Sequence, residues 1–261
     1  MTIAEAERIS PRISQITEAE ARTRVELAAL YRLSDHYGWS DLIYNHISAR
    51  VPGEAAFLIK AHAVMFDEVR ASDLVKVRLD GKDLDEKGYV AGRRINRAGF
   101  TIHSAILNAR PEINYVLHFH TKPGMAVSAL CEGLILVSQE AMQFHNRLSY
   151  HDFEGVASDR SEAERLARDI GPSNRAMILR NHGVLTCSAA PAEALSKMRN
   201  LIEACEVQLA LEGTGREILS PSPELCEHTA RQFESTQEHR NQTEWDAYLR
   251  IADRLGSSFR D

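Results

Sequence analysis

The sequence predicts an α/β fold, a mixed or antiparallel sheet with helices over its faces. Three observations carry this. Strand-length apolar runs at 47–51, 56–60 and 74–79 follow one another with turn residues between them (Pro52-Gly53, Ala71-Ser72-Asp73). Longer stretches with helical apolar spacing lie between and after the strands. The 261 residues, 44% hydrophobic and 26% charged, supply a sizeable core for one large domain or two small ones.

Composition also excludes some function classes. A net charge of −6 leaves no basic face for nucleic acid. No apolar run approaches the ~20 residues needed to cross a bilayer, so no membrane partner is expected. The first residues mix acids with small side chains, unlike a signal peptide. Cys131, Cys187, Cys205 and Cys226 are scattered singly and read as reduced thiols of a cytoplasmic protein.

In chain order, residues 1–17 are read as a flexible arm and 18–261 as the folded domain. A first helix is expected over 18–37, with Leu27, Leu30, Tyr31 and Leu33 in its apolar stripe and Gly38 closing it. Strands follow at 47–51, 56–60 and 74–79, with Asp80-Gly81-Lys82 as a hairpin tip. The stretch 88–97 is basic and irregular. A helix over 98–109 carries Ile102, Ala105, Ile106 and Ala109 on one face and stops before Pro111. His103, on this helix, is read as packing against the sheet.

A strand over 113–119 ends at His118-Phe119-His120, and a short helix over 124–130 follows. A strand is expected at 134–137. The stretch 140–154 is expected as a loop rich in titratable groups. The helix 161–170 is given a capping box of Ser161 and Glu164. Residues 177–185 form an apolar strand run with a polar tip, where Gly183 lets the backbone turn. A long helix spans 191–212, its Leu195, Met198, Leu201, Ile202, Cys205 and Leu209 facing the core. From about 216 the chain is a helical C-terminal extension, with helices at 221–235 and 245–255 joined by a polar segment.

Side chains alternate along a strand, so His118 and His120 share a face. Two imidazoles at a strand end can hold one divalent ion with a third ligand from elsewhere, and His182 in Asn181-His182-Gly183 is the candidate. The alternative is a set of half-buried histidines hydrogen-bonded to their neighbours.

Several stretches together resemble the class II aldolase/adducin family: Tyr44-Asn45-His46-Ile47-Ser48-Ala49-Arg50, Phe57-Leu58-Ile59-Lys60, Asn96-Arg97-Ala98-Gly99-Phe100, His103-Ser104-Ala105, Ala109-Arg110-Pro111, His118-Phe119-His120-Thr121, Asp152-Phe153-Glu154-Gly155 and Arg180-Asn181-His182-Gly183-Val184-Leu185. They stand in the family's order over about residues 20–215. The resemblance implies a single α/β/α domain with a central, mixed and largely antiparallel sheet, assembled as a homotetramer with sites near subunit interfaces. It implies a divalent metal on His118, His120 and His182, zinc first, with Fe(II), Mn or Co as alternatives. Tyr150 falls near the family's catalytic tyrosine and Asn45 near the substrate end of the site.

The chain also departs from the aldolases of that family. Gly99 stands where they carry a catalytic glutamate, and a glycine transfers no proton. Arg97-Ala98 and Lys60-Ala61-His62-Ala63 replace the small residues of their phosphate cradle, which argues against a sugar-phosphate substrate. Glu140 and His145 are candidates for the missing base. Lys60 and Arg97 are candidates for binding an anionic substrate, beside a solvated reading of the local charge run. The expected activity is aldol cleavage or decarboxylation of a small compound that chelates the metal through two oxygens. The rivals are a non-haem Fe(II) oxygenase and a non-catalytic, adducin-like assembly protein.

Overall fold

A computed structural model describes residues 16–156 and 161–261. The arm expected over 1–17 therefore lies almost wholly outside the described residues. Thr17 accepts a bond from the Glu20 amide (3.1 Å) and caps helix α1 (Glu18–His36). Gly38, at φ +73°, follows its end, as expected of a residue past a helix C-terminus.

Among the described residues the central sheet has seven strands: β1 (His46–Arg50), β2 (Ala56–Ile59), β3 (Val75–Arg78), β6 (Tyr115–Phe119), β7 (Leu148–His151), β8 (Ala176–Leu179) and β9 (Gly183–Ser188). Their order is β3-β2-β1-β6-β9-β8-β7. Every neighbouring pair is antiparallel except β7 with β8. The sheet is thus mixed and largely antiparallel, as the sequence predicts.

Alternation along the strands builds two cores. Ile47 and Ala49 of β1 and Tyr115, Leu117 and Phe119 of β6 face helices α1, α6 (Pro191–Glu212) and α8 (Gln237–Leu255). Val116 of β6 and Phe57 and Ile59 of β2 face α2 (Arg97–Ala109) and α5 (Glu162–Ile170). His46, Ser48 and His118 fall at the α2-facing positions of their strands, so the site grows on that side.

Other local expectations are corrected. The basic stretch near 88–97 contains a short hairpin, β4 (Tyr89–Val90) with β5 (Arg93–Arg94), so the turn at Gly81 leads toward β4 and is not the tip of a hairpin closed by β3. Residues 134–137 form no strand. The Leu134 amide donates to the Tyr150 hydroxyl (3.0 Å) and the Ile135 amide to Gln208 (2.9 Å), so side chains replace a ladder. The stretch read as a loop over 140–154 holds α4 (Gln139–Met142) and strand β7. Ser161 makes no cap bond and its backbone is already helical, so the capping box does not form. Helix α3 (Lys122–Ser128) begins two residues early because Thr121 caps it through the Gly124 amide (3.3 Å). After α7 (Pro223–Ser235), the polar segment read as a linker is the first half of α8. Gln237–Asn241 and Arg240–Glu244 contacts, both 2.8 Å, support it one turn apart. No described helix is long and apolar enough to cross a membrane.

Candidate metal centre

His118 is the fourth residue of β6 and is fully buried. Its strand neighbours fix it on both sides, His46 across β1 and Leu185 across β9. His120 lies just past the strand end. Its backbone amide donates to Asn45 Oδ1 (3.1 Å), and Asn45 Nδ2 donates to the Trp39 carbonyl (3.0 Å). Asn45 is 2% exposed and sits at φ +57°, a conformation asparagine tolerates better than most residues. Its amide therefore ties the 39–45 loop to the backbone of His120.

His182 stands in the tight turn between β8 and β9, and its amide donates to the Leu179 carbonyl (3.1 Å). The left-handed residue of this turn is Asn181 (φ +55°) and not Gly183. Gly183 is needed for a different reason: a Cβ there would lie 2.5 Å from the Phe119 carbonyl oxygen. Its bareness lets β9 close on β6 and brings His182 to His118 and His120.

The three rings converge. His120 Nε2 lies 2.9 Å from His118 Nε2 and 2.9 Å from His182 Nε2. His118 Nδ1 lies 3.1 Å from the Val184 carbonyl, which requires a proton on Nδ1 and leaves Nε2 as a bare lone pair. A single proton on His120 Nε2 can serve only one of its two contacts well. Whichever tautomer His182 takes, the neutral cluster leaves at least one of the two contacts without a well-matched donor and acceptor, an arrangement a cation bound by the Nε2 lone pairs relieves. Among the described residues, these three are the group placed to hold a metal, with all ligand atoms within 4.8 Å of one another. Imidazoles on a backbone carbonyl suit a divalent zinc or iron ion. Burial, then the neighbouring imidazoles, drives the His118 pKa well below its usual range. Burial lowers His120, and burial with His120 and His151 lowers His182 to about 4. Neutral imidazole is the ligating form.

A cleft of about 450 Å³ opens beside His120, lined by Tyr37, Trp39, Asp41, Lys122, Met125 and Glu206 among others. A groove of about 530 Å³ near Met142, Leu225 and Phe233 lies on α4 and α7, away from the histidines.

The remaining predicted site residues are placed as follows. The Tyr150 hydroxyl accepts the Leu134 amide, and the Arg180 guanidinium lies over its ring at 4.2 Å. Glu140 is on α4, which packs on α6 and α7, and His145 follows that helix. No hydrogen bond or ion pair among the described residues joins any of the three to the triad. Lys60 is 4% exposed and donates to the carbonyls of Ile43 (2.7 Å), Val64 (2.9 Å) and, weakly, His62 (3.5 Å). Burial lowers it to about 8. It ties two loops together with its donors already engaged. Arg97 is exposed and donates to the Glu86 carbonyl (2.9 Å).

Sequence reasoning missed a second pair of imidazoles. His46 packs over Gly99, where an added Cβ would lie 2.9 Å from its Cδ2. His46 Nδ1 is 2.7 Å from His103 Nε2, and His103 Nδ1 meets the Ser48 hydroxyl in a short contact. The space over the glycine is thus filled by an imidazole, and His103 is a hydrogen-bonding residue more than a packing one. The partners are 57 and 55 residues apart in sequence, so no local spacing could have announced them.

Known proteins place this architecture. The profile of the Class II Aldolase and Adducin N-terminal domain matches residues 25–209. A Pseudomonas aeruginosa protein named only provisionally as an aldolase class 2 protein is 42% identical over 95% of both chains. Alpha-adducin of Rattus norvegicus is 43% identical over 74% of this chain, which spans 26% of the adducin. The crystal structure of an aldolase II superfamily protein from Pseudomonas syringae superposes with a TM-score of 0.85, at 42% identity, over 95% of this chain and 98% of the other. An L-fuculose 1-phosphate aldolase from Glaciozyma antarctica, 24% identical over 99% of each chain with a TM-score of 0.79, shares the fold. This chain belongs to the class II aldolase and adducin family.

Proposed function

We propose that this protein is a divalent-metal lyase with zinc as its resident ion. It cleaves a carbon–carbon bond, by retro-aldol reaction or decarboxylation, in a small carbonyl or carboxylate compound that chelates the metal through two oxygens. It works as a cytoplasmic homotetramer with sites near subunit interfaces. The observation that carries the reading is the convergence of three imidazole Nε2 atoms, with no carboxylate hydrogen-bonded to any of the three rings among the described residues. His118, His120 and His182 hold the ion, which when bound polarises a carbonyl and stabilises the developing oxyanion by several kcal/mol. The Val184 carbonyl fixes the tautomer of His118, and Asn45 fixes the backbone of His120. Tyr150 is the proposed proton donor, contributed across a subunit interface, because within one chain no hydrogen bond among the described residues joins it to the triad; its hydroxyl accepts the Leu134 amide and keeps its own proton to give. Glu140 and His145 are the candidates for the base on the same footing.

The test is a screen of zinc-loaded protein against 2-oxo acids and β-hydroxy-2-oxo acids, following release of pyruvate, aldehyde or carbon dioxide. Turnover that disappears when zinc is removed and returns with it is the expected result. A zinc-loaded protein that turns over none of them while its Fe(II)-loaded form consumes oxygen would replace the lyase with an oxygenase. Gly99, which puts no acid beside the triad, favours that second reading. The 43% identity to alpha-adducin favours an assembly role, and a folded protein that binds neither metal would leave that one.

A further inference from the structure

His46 has a position that the triad does not explain. It is 4% exposed and lies opposite His118 in the β1–β6 register, with the two rings 5.0 Å apart at 33°. It stands outside the set of nitrogens that converge on the metal position. Its orientation is fixed from behind. Nδ1 is committed to His103 Nε2 at 2.7 Å, and His103 is itself anchored to Ser48 on the next inward position of β1. The opposite edge of the ring lies over Gly99, with Nε2 3.3 Å from where a Cβ would stand, on the far side of the ring from the His103 contact. That Nε2 carries no hydrogen bond among the described residues and is not among the sealed polar atoms. Only a glycine at position 99 leaves room for this ring.

We propose that His46 is the substrate-facing residue of the centre. Its ring occupies the volume that a side chain at position 99 would otherwise fill, and its Nε2 hydrogen-bonds an oxygen of the metal-chelating ligand, a carboxylate or carbonyl. When the Ser48 hydroxyl donates to His103 Nδ1, His103 Nε2–H donates to His46 Nδ1, and the His46 proton sits on Nε2. The chain thus presents a neutral donor to an anionic oxygen. His103 and Ser48 are positioning residues, because they act only through this ring. The inference rests on the metal site proposed above.

The test uses oxalate, the smallest two-oxygen chelator of this kind, titrated calorimetrically into zinc-loaded full-length protein, with zinc content measured on every sample. His46→Phe keeps the ring volume and removes the nitrogens. It is expected to retain one zinc per chain and to bind oxalate about tenfold more weakly or worse, the effect of losing one hydrogen bond to a charged group. His46→Gln, which keeps an N–H donor, is expected to recover most of that affinity. Gly99→Ala leaves every histidine in place but pushes the ring aside, and is expected to weaken oxalate without loss of zinc. Ser48→Ala is expected to have a smaller effect of the same sign. Wild-type affinity in a zinc-replete His46→Phe or Gly99→Ala protein overturns the inference, and so does loss of zinc from His46→Gln. A wild-type protein that binds no zinc overturns the proposed metal site and this inference with it, whereas one that binds zinc but no oxalate overturns this inference alone.

Discussion

A lone histidine, His151, and the three-histidine cluster both sit on the α2–α5 side of the sheet, and their rings are satisfied in opposite ways. His151 Nδ1 is 2.7 Å from Asp169 Oδ2, and its Nε2 is 3.5 Å from Glu162, an ion-pair distance and not a hydrogen bond. Burial pushes Asp169 upward, but hydrogen bonds from Arg168 and His151 outweigh it and hold the carboxyl below its ordinary value. Burial raises Glu162, with His151 opposing. This cluster carries its own countercharge. The cluster of His118, His120 and His182 has imidazole facing imidazole at 2.9 Å, and nothing negative in the triad. Both are largely buried, one built on a single histidine and the other on three. What separates the two is whether a carboxylate or another imidazole faces the ring nitrogen.

The largest break between the two should come from metal removal. Chelation of the zinc-loaded protein is expected to lower unfolding stability by about 4 kcal/mol, the linkage expected when ligand stands near a thousand times its dissociation constant. Chelation should not change the melting temperature of His118→Ala/His120→Ala. Next is Asn45→Gly, which tolerates φ +57° but releases the His120 amide. Zinc affinity is expected to fall about 10- to 100-fold, as for other groups that hold a ligand in place, with the fold intact by circular dichroism. In the other cluster, Asp169→Asn is expected to cost about 1–3 kcal/mol in denaturant unfolding and to leave zinc stoichiometry at the wild-type value. Zinc loss in that variant would show that the clusters are not independent.

The smallest effect is on pH. Burial depresses the triad's proton affinity, to about 4 at His182, so protons compete with the metal only as the pH falls toward that range. Above it the ligands are already neutral. Zinc affinity is therefore expected to change less than about tenfold between pH 7 and pH 5. Exposed histidines with ordinary values near 6.5 would lose far more over that interval. A steep loss between pH 7 and 6 would mean that the triad is wetter than its burial implies.

Much of this was legible before the structure. Strand alternation put His118 and His120 on one face, and Asn181-His182-Gly183 marked a turn, although the work is divided differently, with Asn181 left-handed and Gly183 required for close approach. Helix α6 matches its apolar spacing from Pro191 to Glu212. The failures share a cause: tertiary partners substitute for local signal. Strand β7 was hidden because Ser149 and His151 are polar yet buried, one near the Ala176 carbonyl (3.4 Å) and the other against Asp169. Residues 134–137 looked like a strand because they are apolar, but Gln208 and Tyr150 take their amides. Lys60 read as a free cation and turned out to be saturated by carbonyls. The pairing of His46 with His103 depends on α2 lying over β1, which no spacing encodes.

The most direct test of the central claim is metal content after anaerobic purification, measured on the native chain and on His118→Ala/His120→Ala. About one divalent ion per native chain and none in the folded variant is the predicted result. A folded native chain without metal, or a variant that keeps its metal, would contradict it.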